Sequence, residues 1–295
     1  MADENMNVKF SDEYCNDLVA AIDEGTSSTR FLVFSAKSFQ VITSHQVNLT
    51  AYEPRAGWIE MDPMEILDAT KECMEKTCEK LRHLKFDTRK IRAVGITNQR
   101  ETIVVWDRKT GRPLCDMRTE DLAERLSKKA GSRSALQKRC GLVIHPYFSA
   151  LKLRWLLDNV PESPITFKKR SAATSLRRPF QNYQIKIKVS ETAANSDLMT
   201  GTIDTWLIWN LTGGLNCGVY ITDVTNASRT MLMNIRSLNW DTKLLTFFEL
   251  DQSYLPEIRS SSEIYGHIKV NSIEQDSTEF SLNGVPISGC LGDQQ

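Results

Sequence analysis

Short apolar runs and turn-forming clusters alternate along the first part of the chain. The runs at 18–22, 31–35 and 39–44 are rich in Val, Ile, Leu and Phe, and each is followed by turn residues. That spacing predicts an antiparallel meander. Asp62-Pro63-Met64-Glu65 then marks a helix start. Asp62 is suited to the N-cap, Pro63 to the first helical position, and Glu65 to the far end of a capping box. Met61 and Ile66 are placed for a hydrophobic staple, and Leu67, Met74, Cys78 and Leu81 recur on one helical face. Residues 91–97 and 102–106 read as two further strands, with Asn98-Gln99-Arg100-Glu101 between them. A polar, basic helix is expected over about 119–130, an apolar one over 151–159, another over 202–209, and helical patterning near 240–250 ahead of a strand at 264–270. Trp155, Trp206 and Trp209 fall at helical spacing and read as core. Three strands, a helix and then strand–helix alternation indicate an α/β domain over 18–295 behind a polar tail at 1–17.

Composition narrows the classes. The chain has 295 residues, 41% hydrophobic and 25% charged, the balance of an ordinary globular protein. A net charge of zero gives no reason to expect nucleic acid or a membrane surface as partner. Seven cysteines without a C-x-x-C suggest reduced thiols, hence a cytoplasmic protein. The acidic, polar start MADENMNVKFSDEY is unlike a secretory signal, and no apolar run reaches the roughly 18 residues of a membrane span.

The chemistry concentrates first in AIDEGTSSTRFLVF, residues 21–34. Gly25 lets the chain reverse, and exposed N–H groups together with the hydroxyls of Thr26, Ser27, Ser28 and Thr29 and the Arg30 guanidinium would suit phosphate oxygens. Asp23, at the strand end, is a ligand type that Mg²⁺ uses beside nucleotide phosphates. A solvated hairpin turn is the alternative reading of the same residues. No G-x-x-x-x-G-K-[ST] loop is present.

Eight blocks in order, DEGTSSTRFLVF, GWIEMDP, GITNQRET, PYFSALKLRWLLDNV, GTIDTWLIWNLTGG, TDVTNASRTML, RSSSEIYG and GVPISGCLGDQQ, closely resemble the glycerol kinases of the FGGY carbohydrate kinase group. The resemblance implies a ribonuclease H-like/actin-like ATPase domain, a mixed sheet flanked by helices. It implies ATP-dependent, Mg²⁺-assisted phosphorylation of glycerol, and homo-oligomers as in the family. It assigns Thr26, Ser27, Ser28 and Arg30 to ATP phosphates, Asp23 to the metal, and Arg100, Glu101, Tyr147 and Gln294 to glycerol. Asp293 becomes the general base. NQRE with PYFSA points to glycerol rather than a pentulose. Without the resemblance, Arg100–Glu101 reads as a surface ion pair, Tyr147 as a core aromatic, Asp293 as a turn residue and His145 as structural. A related FGGY sugar kinase and a non-catalytic, truncated binding protein are the other functional readings.

The chain also departs from the resemblance. Glu24 stands where the group carries glutamine, and a carboxylate there would repel phosphates. Residues 111–119 omit the strand bearing W-x-D-x-R-T apart from its D-x-R-T end. A basic segment at about 163–198 replaces a shorter one; its part at 163–190 has seven Lys and Arg and no acid, and we expect disorder or a poorly packed loop. The sequence stops two residues after Asp293, so a second kinase domain is expected to be absent and this chain alone to be impaired or inactive.

Overall fold

A computed structural model describes residues 17–53, 60–114, 120–159, 164–168, 182–186, 197–270 and 280–295. The first strands are β1 (Leu18–Glu24), β2 (Ser28–Ser35) and β3 (Val41–Asn48), followed by the short pair β4 (Ala51–Tyr52) and β5 (Glu60–Met61). Helix α1 (Pro63–His83) leads to β6 (Ile91–Asn98), β7 (Ile103–Asp107) and β8 (Pro113–Leu114). Helices α2 (Glu120–Ala130), α3 (Gln137–Cys140) and α4 (Ser149–Asn159) come next, then β9 (Pro164–Lys168), β10 (Asn182–Lys186) and β11 (Leu198–Thr202). The remainder is α5 (Ile203–Leu211), β12 (Ile221–Asp223), α6 (Val224–Ala227), α7 (Thr242–Phe248), β13 (Glu257–Arg259), β14 (Ser262–His267) and β15 (Pro286–Gly292).

The central sheet has six strands in the order β14-β15-β6-β1-β2-β3. The expected meander is present, since β1–β2 and β2–β3 pair antiparallel, but β6 adds to β1 in parallel and β15 adds to β6 in parallel. This mixed sheet, with helices against it, is the α/β architecture expected. Along β1 every second residue is buried, from Leu18 to Glu24, the period-two signature of a pleated strand.

Helix α1 has the expected N-cap and first residue, with Asp62 Oδ1 accepting from the Met64 N–H at 2.8 Å and Pro63 first in the helix, but the Glu65 carboxylate, expected to close a capping box, accepts from the Thr50 hydroxyl at 2.9 Å. Its buried face, including Leu67, Met74, Cys78 and Leu81, covers the sheet, and the Thr77 hydroxyl donates to the Phe31 carbonyl (3.3 Å). Trp206 of α5 joins this core and ties it to α1 by donating its indole N–H to the Pro63 carbonyl at 2.9 Å. Trp106, Trp206 and Trp209 pack together, with centroids 5.3 Å apart for the first two and 6.0 Å for the last two. A second core lies where α2, α4 and α7 meet β7, built from Leu122, Leu126, Leu151, Leu153 and Phe248 among others. Trp155, read as core, is half-buried at the edge of that cluster.

Two sequence readings are corrected here. The turn after β1 holds only Gly25, Thr26 and Ser27, closed by the Gly25 N–H to the Ser28 carbonyl (3.0 Å); Ser28, Thr29 and Arg30 are already in β2. Ser28 and Thr29 are both buried, Thr29 fully, so these hydroxyls serve the strand rather than an open turn. Within the basic segment, β9 and β10 pair as an antiparallel two-stranded sheet where a loop was expected, and Leu198 belongs to β11, paired with Asp107 of β7. Tail residues 1–16, the junction at 115–119 and the rest of the basic segment lie outside the described residues.

Candidate active site

Three neighbouring strands, β1, β6 and β15, run parallel, so their C-terminal ends share one sheet edge. In register, Glu24 and Gly292 both stand opposite Asn98, and the next residues along the three strands form the candidate site. A crevice outside the carboxyl ends of parallel strands is where α/β sheets place ligands. The topology thus brings together the Asp23–Ser28 hairpin, Arg100–Glu101 and Asp293–Gln294, which lie far apart in sequence.

Arg100 and Glu101 are not a surface ion pair. The Arg100 side chain is 8% exposed and that of Glu101 is 1% exposed. Arg100 turns toward the end of β15: its Nε lies 3.5 Å from Asp293 Oδ1 without making a hydrogen bond, and Nη2 donates to Gln294 Oε1 at 2.5 Å. Glu101 pairs with Arg229, whose Nε donates to Oε1 at 2.6 Å. Arg100 Nε and Glu101 Oε2 are left as buried polar atoms without hydrogen-bond partners. Desolvating such atoms costs on the order of 1–3 kcal/mol each unless a partner reaches them. The close approach of Arg100 to β15 needs Gly292, since a Cβ there would fall 2.6 Å from Arg100 Cδ.

The Glu101 backbone is held in the left-handed region at φ 62°. For a glutamate this costs on the order of 1–3 kcal/mol and persists only where neighbours enforce it. Its carbonyl accepts from the Ser149 hydroxyl at 3.2 Å and the Lys152 ammonium at 3.0 Å, both from the first turn of α4. Burial, opposed by the charge of Glu101, pushes the Lys152 amine down to about 8. Tyr147, read as a core aromatic in the absence of a family, is instead 49% exposed at the rim. Its hydroxyl is raised by partial burial and then by the negative charge of Glu101, and Lys152 Nζ lies 5.4 Å from its ring centre. His145 is structural as read, its Nδ1 accepting from the Tyr147 N–H at 3.2 Å.

Asp293 ends β15, its side chain 39% exposed, and its N–H is bound to the Asn98 carbonyl at 2.9 Å. Behind it, the Gly292 N–H donates to the Thr225 hydroxyl (2.8 Å), which donates to Asp223 Oδ2 (2.7 Å). The same Asp223 oxygen accepts from the Ser261 hydroxyl at 2.7 Å, while Oδ1 caps α6 through the Asn226 N–H at 3.0 Å. Asp204, Asp223 and Cys290 bring their ligand atoms within 4.8 Å of one another. They do not suit a metal. Thr202 and Thr222 donate to the two oxygens of Asp204, and burial followed by the charge of Asp223 raises its carboxyl to about 6. Burial also raises the Cys290 thiol well above its usual range. Hydrogen bonds already satisfy the carboxylates, so the cluster braces the end of β15.

At the hairpin, Thr26 and Ser27 are exposed, Ser28 is buried, and Arg30 crosses from β2 to the strand end. Arg30 Nη1 lies 3.3 Å from Asp23 Oδ2 and its Nε donates to Gln46 Oε1 at 2.8 Å. Glu24 points to the opposite face and is fully buried. Gln99 donates its amide to both Glu24 oxygens at 3.2 Å. Burial above all, with the charges of Asp23 and Asp293 added, raises the Glu24 carboxyl to about 8. Burial thus disfavours the charged form of Glu24, which works against the repulsion of phosphates expected of it. Asp23 beside exposed hydroxyls is an all-oxygen donor set, which fits a hard divalent cation.

The sequence reading missed Arg229, Ser149, Lys152 and Asp223. All four fall in the blocks PYFSALKLRWLLDNV and TDVTNASRTML, yet nothing local in those blocks ties them to Glu101 or to β15.

Residues 18–295 match the N-terminal domain of the FGGY family of carbohydrate kinases. A probable glycerol kinase of Caenorhabditis elegans is 46% identical over 286 residues, covering 94% of this chain and 49% of that protein. A glycerol kinase of Arabidopsis thaliana is 41% identical over 287 residues, 95% of this chain and 48% of that protein. Among solved structures, the Plasmodium falciparum glycerol kinase with ADP superposes with a TM-score of 0.73 at 33% identity, over 95% of this chain and 49% of that one. A xylulose kinase of Rhodospirillum rubrum gives 0.71 at 16% identity, over 94% of this chain and 49% of that one, a likeness of fold alone. The chain spans about half the length of the curated relatives it matches.

Proposed function

Since the chain belongs to the FGGY family of carbohydrate kinases, we propose that its sheet edge is the glycerol side of an ATP-dependent glycerol kinase, with Asp293 as general base. The observation that carries this reading is that two buried atoms of consecutive residues, Arg100 Nε and Glu101 Oε2, both lack a hydrogen-bond partner. One is a donor and the other an acceptor, and a vicinal diol offers the complement: one hydroxyl oxygen to accept, one hydroxyl proton to donate. Tyr147 lays its ring against the carbon chain, and Gln294, already bonded to Arg100, adds an amide at the same place. A ligand lacking one hydroxyl would leave a buried atom unpaired, so the pair selects for polyols.

Glycerol's hydroxyl is a weak nucleophile, and transfer needs alignment, charge stabilisation and a proton acceptor. Asp293 is half-exposed beside Arg100, so it remains available to take the hydroxyl proton as the bond to phosphorus forms. Thr26, Ser27, Ser28 and Arg30 are the residues for the ATP phosphates. Asp23 would hold Mg²⁺, which supplies charge neutralisation to the phosphates. For that, Arg30 must release Asp23 and engage phosphate oxygen. Burial of Glu24 beneath the turn disfavours a charge there against them.

The site is open in this 295-residue polypeptide: Tyr147 is 49% exposed at its rim. Open access for water favours binding over transfer, and we take turnover by the chain alone to be impaired while glycerol binding persists. Titration calorimetry with glycerol and with a pentulose, run side by side, tests the reading. Saturable heat with glycerol alone supports it; heat with the pentulose alone would assign the site to another sugar kinase.

A further inference from the structure

Arg229 enters none of the roles above, yet it makes a close ion pair in the site, 2.6 Å from Nε to Glu101 Oε1. A guanidinium can grip both oxygens of a carboxylate, but here only Oε1 is taken and Oε2 stays buried and unpartnered. The guanidinium is fixed from the side by the Phe148 ring, 5.0 Å from its centroid, and the chain on both sides is tied down. The Thr230 carbonyl accepts the Ala150 N–H at 2.9 Å, so the loop carrying Arg229 is fastened to the same helix α4 whose Ser149 and Lys152 hold the Glu101 carbonyl. One charge partner and two backbone clamps thus converge on a single glutamate in a strained conformation.

We propose that Arg229 is a positioning residue that fixes the specificity of the polyol site: by occupying Oε1 of Glu101 it presents Oε2 alone, so one hydroxyl proton is accepted beside the Arg100 donor. This rests on the reading of the edge as a glycerol site. A rotating carboxylate would accept hydroxyls at several positions and would discriminate poorly between diols. A fixed one accepts in a single direction, and the neighbouring hydroxyl must then meet Arg100.

The test measures dissociation constants of the intact chain for glycerol, propane-1,2-diol and propane-1,3-diol by calorimetry, in wild type, Arg229→Lys and Arg229→Met. Thermal midpoints establish that each variant is folded. Arg229→Met is expected to weaken glycerol by about 10- to 100-fold and to bring the three ligands toward equal affinity. Arg229→Lys keeps the charge but not the fork, and should restore part of the affinity with less of the discrimination. If Arg229→Met does not fold, Arg229→Lys decides alone, with reduced discrimination as the supporting result. Wild-type affinities and wild-type discrimination in a folded variant overturn the role of Arg229 and leave the glycerol site standing. Absence of glycerol binding to the wild type overturns both, and is distinguished by appearing before any substitution is made.

Discussion

Glu101 and Glu24 show how two carboxyls of one site meet different surroundings. Glu101 has a cation on one oxygen, whereas Glu24 has an amide, and burial pushes release of its proton up to about 8. An unfolded glutamate releases that proton near 4.5, so the folded chain binds more protons between these values. Stability contributed by Glu24 is therefore present below about pH 4.5 and lost as pH rises through about 8. Glu24→Gln should flatten that part of the pH profile and stabilise the chain at pH 7.5 by on the order of 1–3 kcal/mol, measured by urea unfolding across pH 5–8.5. A profile unchanged by the substitution would show that Glu24 is ionised. Gly292→Ala forces Arg100 away from β15 and should weaken glycerol binding by about tenfold or more with little change in thermal midpoint. At this scale the sequence pointed to the residues proposed for the chemistry, because Arg100, Glu101 and Asp293 lie in short motifs. It did not disclose the partner of Glu101, because Arg229 is 128 positions away and meets it only through the fold.

Strands and helices were legible where periodicity is strong: β1, α1, β6 and α5 form where the apolar pattern places them, whereas β3, expected over 39–44, runs over Val41–Asn48. Their assembly was less so. Nothing local tells that β6 lies beside β1 or that β15 closes on β6, because parallel neighbours are joined by long crossovers rather than by a turn. The start of β2 was misread for a related reason, since hydroxyl residues are common to turns and to strand ends. Asp223 joins several elements at once, capping α6, receiving Ser261 and holding Thr225, which in turn holds the N–H of Gly292. Asp223→Ala should therefore cost about 2–4 kcal/mol in urea unfolding and loosen Asp293 as well, lowering glycerol affinity in the folded fraction. Stability within about 0.5 kcal/mol of wild type would mean that the cluster braces nothing.

Across the whole molecule, two cores flank one working edge. The first packs α1 and α5 on the sheet, the second packs α2, α4 and α7 around β7, and the clamp on Glu101 comes from α4 in the second. Binding and transfer are separable in this arrangement. Asp293→Asn should leave glycerol affinity within several-fold of wild type while abolishing whatever ATP-dependent glycerol 3-phosphate the chain forms, a loss of about 10²- to 10⁴-fold. Equal turnover in the variant would remove Asp293 from the role of base. No helix among the described residues is long and apolar enough to cross a membrane. The claim on which the rest depends is that Arg100 Nε and Glu101 Oε2 together receive one polyol. It is tested most directly by following the arginine Nε–H resonances of the ¹⁵N-labelled chain while glycerol is added. The account predicts that the Arg100 and Arg229 signals move together and saturate, and that Glu101→Gln abolishes both shifts. Signals that stay fixed to saturating glycerol, or that move equally in Glu101→Gln, would contradict it.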